Sequence, residues 1–318
     1  MLSRILLATT ATDLAADLII LNLERRGIPF VRMNQEDFPQ RTSITWPGKG
    51  VGATIAVDDE LIRCDDIRSA WFRSSLLPRA VEHEDRRTAE FVSQECAGFL
   101  FGFWESLPWF WINRPSAITL ANSKLWQLSL ANAQGFRVPR TLVTNCGEAA
   151  RHFVGDGDYI AKAVVSGGFR ENGRRYAIFT TPVTPDDLPD DAVRSAPVIY
   201  QERIANRFDL RVTVVGERVF AARISIPDDD KSEADWRAVD PARVAYEIHK
   251  LPPALEAACV AYVKAHALVF AALDFIITPQ GDYVFIEINP SGQWGWLEDA
   301  TGVPITDAIV DCLITGAA

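Results

Sequence analysis

Short apolar runs alternate with longer amphipathic stretches along this chain, and each change of period marks an element. Arg4-Ile5-Leu6-Leu7-Ala8 reads as a buried strand, Asp13 to Arg26 as a helix ended by Gly27, and Phe30-Val31-Arg32 as the next strand. This β-α-β opening has no GxGxxG, so nothing in it supports a nucleotide site. A long helix is predicted from Glu82 to Trp104. The Trp104, Trp109, Phe110, Trp111 cluster at its end has the aromatic density of a core or a subunit interface more than of a ligand platform. A boundary falls near Asn113-Arg114-Pro115.

Beyond it, Asn122 or Ser123 is placed to cap a helix from Lys124 to Ala133, which stops at Gly135 with Pro139 beyond. Tyr159 to Val165 predicts a strand. Ser166-Gly167-Gly168 opens a polar loop over Arg170 to Arg175, and Tyr176 to Thr180 returns as a strand. Val198-Ile199-Tyr200-Gln201 is a further strand, and a hairpin from Asp209 to Ile226 turns at Gly216-Glu217. The polar stretch from Asp228 to Asp240 reads as a mobile loop, followed by a helix from Pro253 to Ala267. The last hairpin pairs Ala272–Ile277 with Tyr283–Asn289 around Pro279-Gln280-Gly281-Asp282. Centred between Gln280 and Gly281, it sets Asp274 opposite Glu287, and alternation puts Glu287 and Asn289 on one face.

Composition narrows the function classes. A chain of 318 residues, 48% hydrophobic, can bury a large core and is expected to split into two or three domains. A net charge of −10 argues against general nucleic-acid binding. The five cysteines (64, 96, 146, 259, 312) show no metal spacing and fit reduced thiols in a cytoplasm. The apolar start, Leu2 to Leu7, is followed by Asp13 and Asp17 rather than the apolar core of a signal peptide, so a strand and helix are expected there. No apolar run approaches the roughly 18 residues that a membrane span needs. The four histidines have no ligand or triad spacing.

The candidate chemistry concentrates in acids and bases set among apolar neighbours. Two facing carboxylates repel and are costly to desolvate. A divalent cation removes both penalties, and Asp274, Glu287 and Asn289 offer the hard oxygens that magnesium takes alongside substrate phosphates. A solvated acidic edge is the ordinary alternative, and the Phe, Ile and Val around each acid oppose it. Lys162, within an apolar strand, calls for an anion such as phosphate; snorkelling or an ion pair would also serve. Ser166, Gly167 and Gly168 could bring backbone N–H groups to phosphates, although paired glycines alone are most often a plain turn. Lys124 in a first helical turn opposes the helix dipole unless an anion sits there; a solvated lysine is the alternative. Arg211, Arg223 and Arg237 suit charge developing on a transferring phosphoryl group. Each taken singly is more often a surface ion pair, and a two-residue turn puts Arg223 on the face opposite Asp209 and Arg211.

Taken in order, these residues resemble the ATP-grasp superfamily: Lys124, Lys162 before a glycine loop, Gln201-Glu202, Asp209-Leu210-Arg211, then Asp274 and Glu287-Ile288-Asn289. Asp209 to Gly216, Asp235-Trp236-Arg237 and Asn289 to Leu297 look like microviridin-type graspetide synthetases, the ATP-grasp maturases of ribosomal peptides. Val31 to Asn34 and Trp71-Phe72-Arg73 look like their pre-ATP-grasp domain. The resemblance implies an α/β chain with α+β elements: an ATP-grasp fold behind an N-terminal Rossmann-like pre-ATP-grasp domain. Expected domains are 1–115, a central ATP-grasp subdomain at 116–200, and a C-terminal subdomain with the metal site at 201–318. It implies ATP and magnesium as cofactors and a ribosomal precursor peptide, leader plus core, as partner. ATP would phosphorylate an Asp or Glu side chain, and a hydroxyl or amine of the same peptide would form an ω-ester or ω-amide. Gln201, Glu202, Arg203 and Ile204 would supply the adenine hinge, largely through backbone groups, and Asp209 joins the nucleotide set. Arg211, Arg223 and Arg237 are the expected catalytic residues. Arg223 lies where relatives vary, and Ala163 stands where many carry Pro or Thr after the phosphate lysine. Asp186, Asp187, Asp190 and Asp191 are leader-recognition candidates, with capping of a turn after Thr184-Pro185 the stronger alternative.

Two other readings share part of this pattern. A ligase adding free amino acids to a protein tail or small acid, of the ribosomal-protein glutamate ligase type, would use the same ATP chemistry. A non-catalytic ATP-binding regulator would not need the intact acidic set. The expected protein is cytoplasmic, with no nucleic-acid or membrane partner, and a homodimer is left open.

Overall fold

The computed structural model of the chain describes residues 3–58, 60–73, 85–165, 168–171, 174–177, 180–227 and 240–318. In chain order the first part carries β1 (Arg4–Thr9), α1 (Leu14–Arg25), β2 (Phe30–Asn34), β3 (Thr42–Thr45), β4 (Thr54–Val57), β5 (Glu60–Arg63), β6 (Ile67–Phe72), α2 (Arg86–Ser106) and β7 (Phe110–Ile112). The β1, β2, β6 and β7 strands run parallel in the order β2-β1-β6-β7, and β3-β4-β5 form a small antiparallel sheet. The start of α1 is set by Asp13, whose carboxylate accepts from Ala15 N at 3.1 Å, and its end by Gly27 at a left-handed φ of 66°. Trp104, Trp109 and Trp111 are buried under α2, with ring centroids 5.5–6.3 Å apart, so this aromatic cluster is core.

The second part carries α3 (Pro115–Ala121), α4 (Lys124–Ala133), β8 (Thr141–Thr144), α5 (Gly147–Val154), β9 (Tyr159–Lys162), β10 (Gly168–Glu171), β11 (Arg174–Ala177), β12 (Thr181–Val183), α6 (Asp190–Arg194) and β13 (Val198–Glu202). An antiparallel sheet, β12-β9-β13-β8, buries Tyr159 and Tyr200 against Ala150, Val154 and Val193 of α5 and α6. Its other face carries Ile199 and Gln201. The β9 strand stops at Lys162, short of the expected Val165, which is exposed. Part of the expected polar loop pairs instead as the β10–β11 hairpin.

The third part carries β14 (Phe208–Val215), β15 (Arg218–Ser225), β16 (Ala245–Ile248), α7 (Pro253–Ala265), β17 (Phe270–Ile277), β18 (Tyr283–Asn289), α8 (Gly295–Thr301) and α9 (Ile305–Thr315). The sheet runs β16-β15-β14-β17-β18. One face packs Leu210, Val212, Leu273, Phe275 and Phe285 on Tyr262 of α7 and Phe136. The α9 helix returns to the first sheet, where Ile309 and Leu313 share a core with Ile5, Leu7 and Trp71. No helix among the described residues is long and apolar enough to cross a membrane.

Asp274 does pair with Glu287, but by a different route from the symmetric turn expected of the sequence. The pairs Ile277–Tyr283, Ile276–Val284 and Phe275–Phe285 centre the turn on Gln280, and a bulge then inserts Ile286 before Glu287. Without the bulge Asp274 would face Ile286. The extra residue also lets Ile286 and Glu287 both line the cleft described below.

Candidate active site

A cleft opens between the central sheet and the C-terminal sheet. Lys162, Ile199 and Gln201 form one wall, Ile286 and Glu287 the other, and α4 closes the end with Lys124 and Gln127. Lys124 begins α4 and donates from Nζ to Glu287 Oε2 at 3.3 Å, so the anion at this helix start is a carboxylate of the chain itself. Lys162 donates to Gln201 Oε1 at 2.7 Å, and Gln201 Nε2 donates to Thr141 Oγ1 at 2.9 Å. The amide dipole of Gln201 is thereby fixed and holds the ammonium on the cleft wall. Lys162 is half-buried rather than enclosed, so it costs less to desolvate than its apolar strand suggests. Ser166 and Gly167 lie outside the described residues, and Gly168 begins β10.

The hinge segment is tied by its backbone. Glu202 N donates to Arg140 O and Arg203 N to Asp158 O, both at 2.9 Å. The Glu202 carboxylate accepts from Arg140 N at 3.3 Å, the Arg203 guanidinium lies 3.9 Å from Asp158, and Ile204 is partly buried.

On the C-terminal sheet Asp209, Arg211, Asp274, Glu287 and Asn289 share the face opposite the α7 core. Arg211 is buried; its Nε lies 3.0 Å from Asp274 Oδ1 and its guanidinium sits 5.8 Å from the Trp296 ring. Among the described residues, neither Nε nor Nη1 of Arg211 finds a hydrogen bond of good geometry. A buried guanidinium with an unspent donor is costly unless a further acceptor joins it. Asp209 accepts from Asn206 at 2.9 Å. The Asp274–Glu287 repulsion on which the sequence reading relied is already offset by Arg211 and Lys124, so a cation is not needed for the fold to stand.

Arg223 does not join Arg211. The β14–β15 ladder runs without a bulge through a two-residue turn, so Arg223 pairs with Leu210. It stacks 4.5 Å over Phe208 and pairs with Glu247 on the other face, so the structure does not bring it together with Arg211. Arg237, assigned with it, lies outside the described residues, as do its neighbours in the polar stretch, residues 228–239. Asp187 accepts from Thr184 N and Oγ1 at 2.8 and 2.7 Å, and Asp190 pairs with Arg151 at 2.8 Å, so capping and ion pairing account for these two acids. Sequence reasoning missed the side-chain role of Gln201, and it missed Thr141 and Trp296. A polar Gln201 at the end of an apolar strand was the available signal.

The donor set fits magnesium. Two carboxylates and an amide oxygen on adjoining strands match the one or two carboxylates that this ion takes beside substrate phosphates. No group of three or more acids, histidines or cysteines among the described residues could hold a metal alone. The buried thiols offer no nucleophile: desolvation pushes Cys64 and Cys259 up to about 12.

Lys162→Ala is expected to weaken ADP binding by roughly 10- to 100-fold, the loss of one or two charge-assisted hydrogen bonds. Its melting temperature should fall only slightly, because Lys162 is half-buried and its hydrogen bond to Gln201 is to a neutral group. Calorimetry and thermal melts on one preparation decide this; a large melting shift with unchanged affinity would make Lys162 structural.

Known proteins share this fold. The MvdD pre-ATP grasp domain profile matches residues 4–119, and the RimK-like ATP-grasp domain profile matches 121–313. The structure of macrocyclase MdnC bound with precursor peptide MdnA from Microcystis aeruginosa superposes with a TM-score of 0.87 at 27% identity, covering 99% of this chain and 100% of that one. A Chryseobacterium gregarium RiPP-associated ATP-grasp ligase, in complex with ADP and a leader and core peptide, gives 0.87 at 27% identity over 99% and 98%. A probable alpha-L-glutamate ligase 2 of Shewanella amazonensis is 34% identical over 119 residues, 36% of this chain, and that match spans only 38% of the curated relative. With most of its length matched as one such domain, and the fold shared end to end with these ligases, the chain belongs to the RimK-like ATP-grasp family, joined to an MvdD-type pre-ATP-grasp unit.

Proposed function

We propose that this protein is an ADP-forming ligase that uses ATP and magnesium to crosslink a ribosomal precursor peptide. The observation that carries this reading is the single cleft into which Lys124, Lys162 and Glu287 open, on the sheet face that also holds Arg211, Asp274 and Asn289. In this reading 1–115 is the pre-ATP-grasp domain, 116–200 the central subdomain and 201–318 the C-terminal one. Macrocyclase MdnC and the Chryseobacterium ligase, both bound to peptides, support the substrate class.

Lys162 and Lys124 would neutralise ATP phosphates, with Gln201 holding the Lys162 ammonium in place. Asp274, Glu287 and Asn289 would hold magnesium, which would supply positive charge to offset the negative charge of the phosphates. Arg211 would offer its unspent donor to the peptide carboxylate or the phosphoryl group moving onto it. A side-chain carboxylate oxygen attacks the γ-phosphorus, ADP leaves, and a hydroxyl or amine of the same peptide displaces phosphate. The peptide has then lost the atoms of one water for each crosslink. No protein nucleophile enters, in keeping with the inert buried thiols.

The test is mass spectrometry of a Ser/Thr- and Asp/Glu-rich peptide encoded beside the gene, after incubation with enzyme, ATP and magnesium. Loss of whole waters with matching ADP release is the expected result. AMP and pyrophosphate would overturn the acyl-phosphate route. The local likeness to a glutamate ligase favours a second reading, addition of free amino acids, which would raise the peptide mass instead.

A further inference from the structure

Three consecutive carbonyls just past the cation-binding strand are held by side chains of the first sheet. Asn113, after β7, donates to Pro290 O at 3.1 Å; Arg73, after β6, donates from Nη1 to Ser291 O at 2.7 Å and Gly292 O at 2.9 Å. Both donors are buried, Arg73 at 4% and Asn113 at 2% exposure. Each is itself fixed. Asp13 lies 3.4 Å from Arg73 Nε, and the Trp294 and Trp71 rings lie 5.1 and 5.7 Å from its guanidinium carbon. The Asn113 amide oxygen accepts from Val269 and Phe270 N at 2.8 and 3.1 Å.

The carbonyls belong to the turn that sets Asn289. Ser291 N donates to Asn289 Oδ1 at 2.9 Å, and Gly292 N to Asn289 O at 3.3 Å. Gly292 also backs Arg211: a Cβ there would stand 2.5 Å from Ala272 Cβ and 3.4 Å from Arg211 Nη1. The strand order β2-β1-β6-β7 reverses between β1 and β6, the crevice where doubly wound sheets bind ligands. Arg73, Asp13 and the turn fill that crevice here.

We propose that Arg73 and Asn113 are positioning residues, through which the first sheet locks the Pro290–Gly292 turn and so aims Asn289 and Arg211 at the cation and the transferring phosphoryl group. The proposal rests on the ligase reading above. The two in-plane N–H groups of Nη1, at one prong of the guanidinium fork whose Nε faces Asp13, hold two adjacent carbonyls in one geometry, whereas an ammonium is a point charge without that directionality. Outer-shell partners of metal ligands affect affinity and activity without touching the ion.

Arg73→Lys keeps the charge beside Asp13 and removes the fork. Asn113→Asp keeps the size and acceptor and removes the donor to Pro290 O, together with its bond to Phe270 O at 2.8 Å, and it carries the test if the first variant fails to fold. The readouts are ADP affinity by calorimetry with and without magnesium, melting temperature, and ADP formation. Metal-free ADP affinity should stay at the wild-type value, while the gain on adding magnesium and kcat each fall by about 10-fold. Combining either change with Asn289→Ala should cost no more magnesium-dependent gain than Asn289→Ala alone. A lower melting temperature with the wild-type magnesium gain and kcat, or losses that multiply in the double variant, would overturn the clamp alone. A wild-type protein whose ADP affinity ignores magnesium would overturn the ligase reading and the clamp together.

Discussion

Glu287→Gln is expected to lower ATP turnover by on the order of 100-fold while the protein melts within a few degrees of wild type. The substitution keeps the size of the side chain and one oxygen, and removes the negative charge facing Asp274. If the pair only shaped the sheet, relief of repulsion would leave activity intact. As a cation ligand, Glu287 cannot lose its charge without weakening the site. The stability term is small on both sides. The Lys124–Glu287 pair is partly exposed, 29% and 33% by side chain, and worth about 1 kcal/mol at most. Relief of the Asp274 contact offsets part of that. Melting temperature and ADP release should be measured on one preparation across a magnesium titration. Normal turnover at limiting magnesium would remove Glu287 from the cation site.

Arg211→Ala should abolish crosslinking to a similar or greater degree, by about 10²- to 10³-fold, the usual loss when one preorganised donor to developing charge is removed. ADP affinity should stay near the wild-type value, because the cleft lined by Lys124, Lys162 and Gln201 does not depend on this side chain. The split between binding and turnover is the diagnostic. Arg211 is buried, 3.0 Å from Asp274, and among the described residues has donors without good hydrogen bonds. A residue kept only for its ion pair would have those donors satisfied. Arg211→Lys should restore little, since a compact ammonium lacks the planar fork that can present one edge to Asp274 and another to an incoming oxyanion. Wild-type crosslinking by Arg211→Ala would reduce the residue to an ion-pair partner.

Much of this was legible in the chain, because local rules act over a turn or a strand. Asp13 caps α1 and Gly27 ends it; α4 runs from Lys124 to Ala133 with Gly135 at a left-handed φ of 81°; the Gly216-Glu217 turn gives the two-residue hairpin register. That register alone turned Arg223 away from Arg211. Lys162, Asp274, Glu287 and Asn289 stood out as polar residues in apolar strands, whose alternation assigns faces without any knowledge of neighbours, and Lys124 as a cation in a first helical turn.

The tertiary structure decided what those faces meet. The bulge at Ile286, not the turn, brings Asp274 and Glu287 into register. Lys124 and Glu287 are 163 positions apart and meet because α4 docks on β18, where Gln127 binds the backbone of Ile288. Lys162 finds Gln201 only because β9 and β13 are neighbours. Arg73 and Asn113 reach the Pro290–Gly292 turn because α9 and Trp294 seal the first sheet onto the last. Propensity and periodicity act between residues near in sequence. Which distant donor satisfies which carbonyl is settled only when whole layers pack and every buried polar group must find a partner.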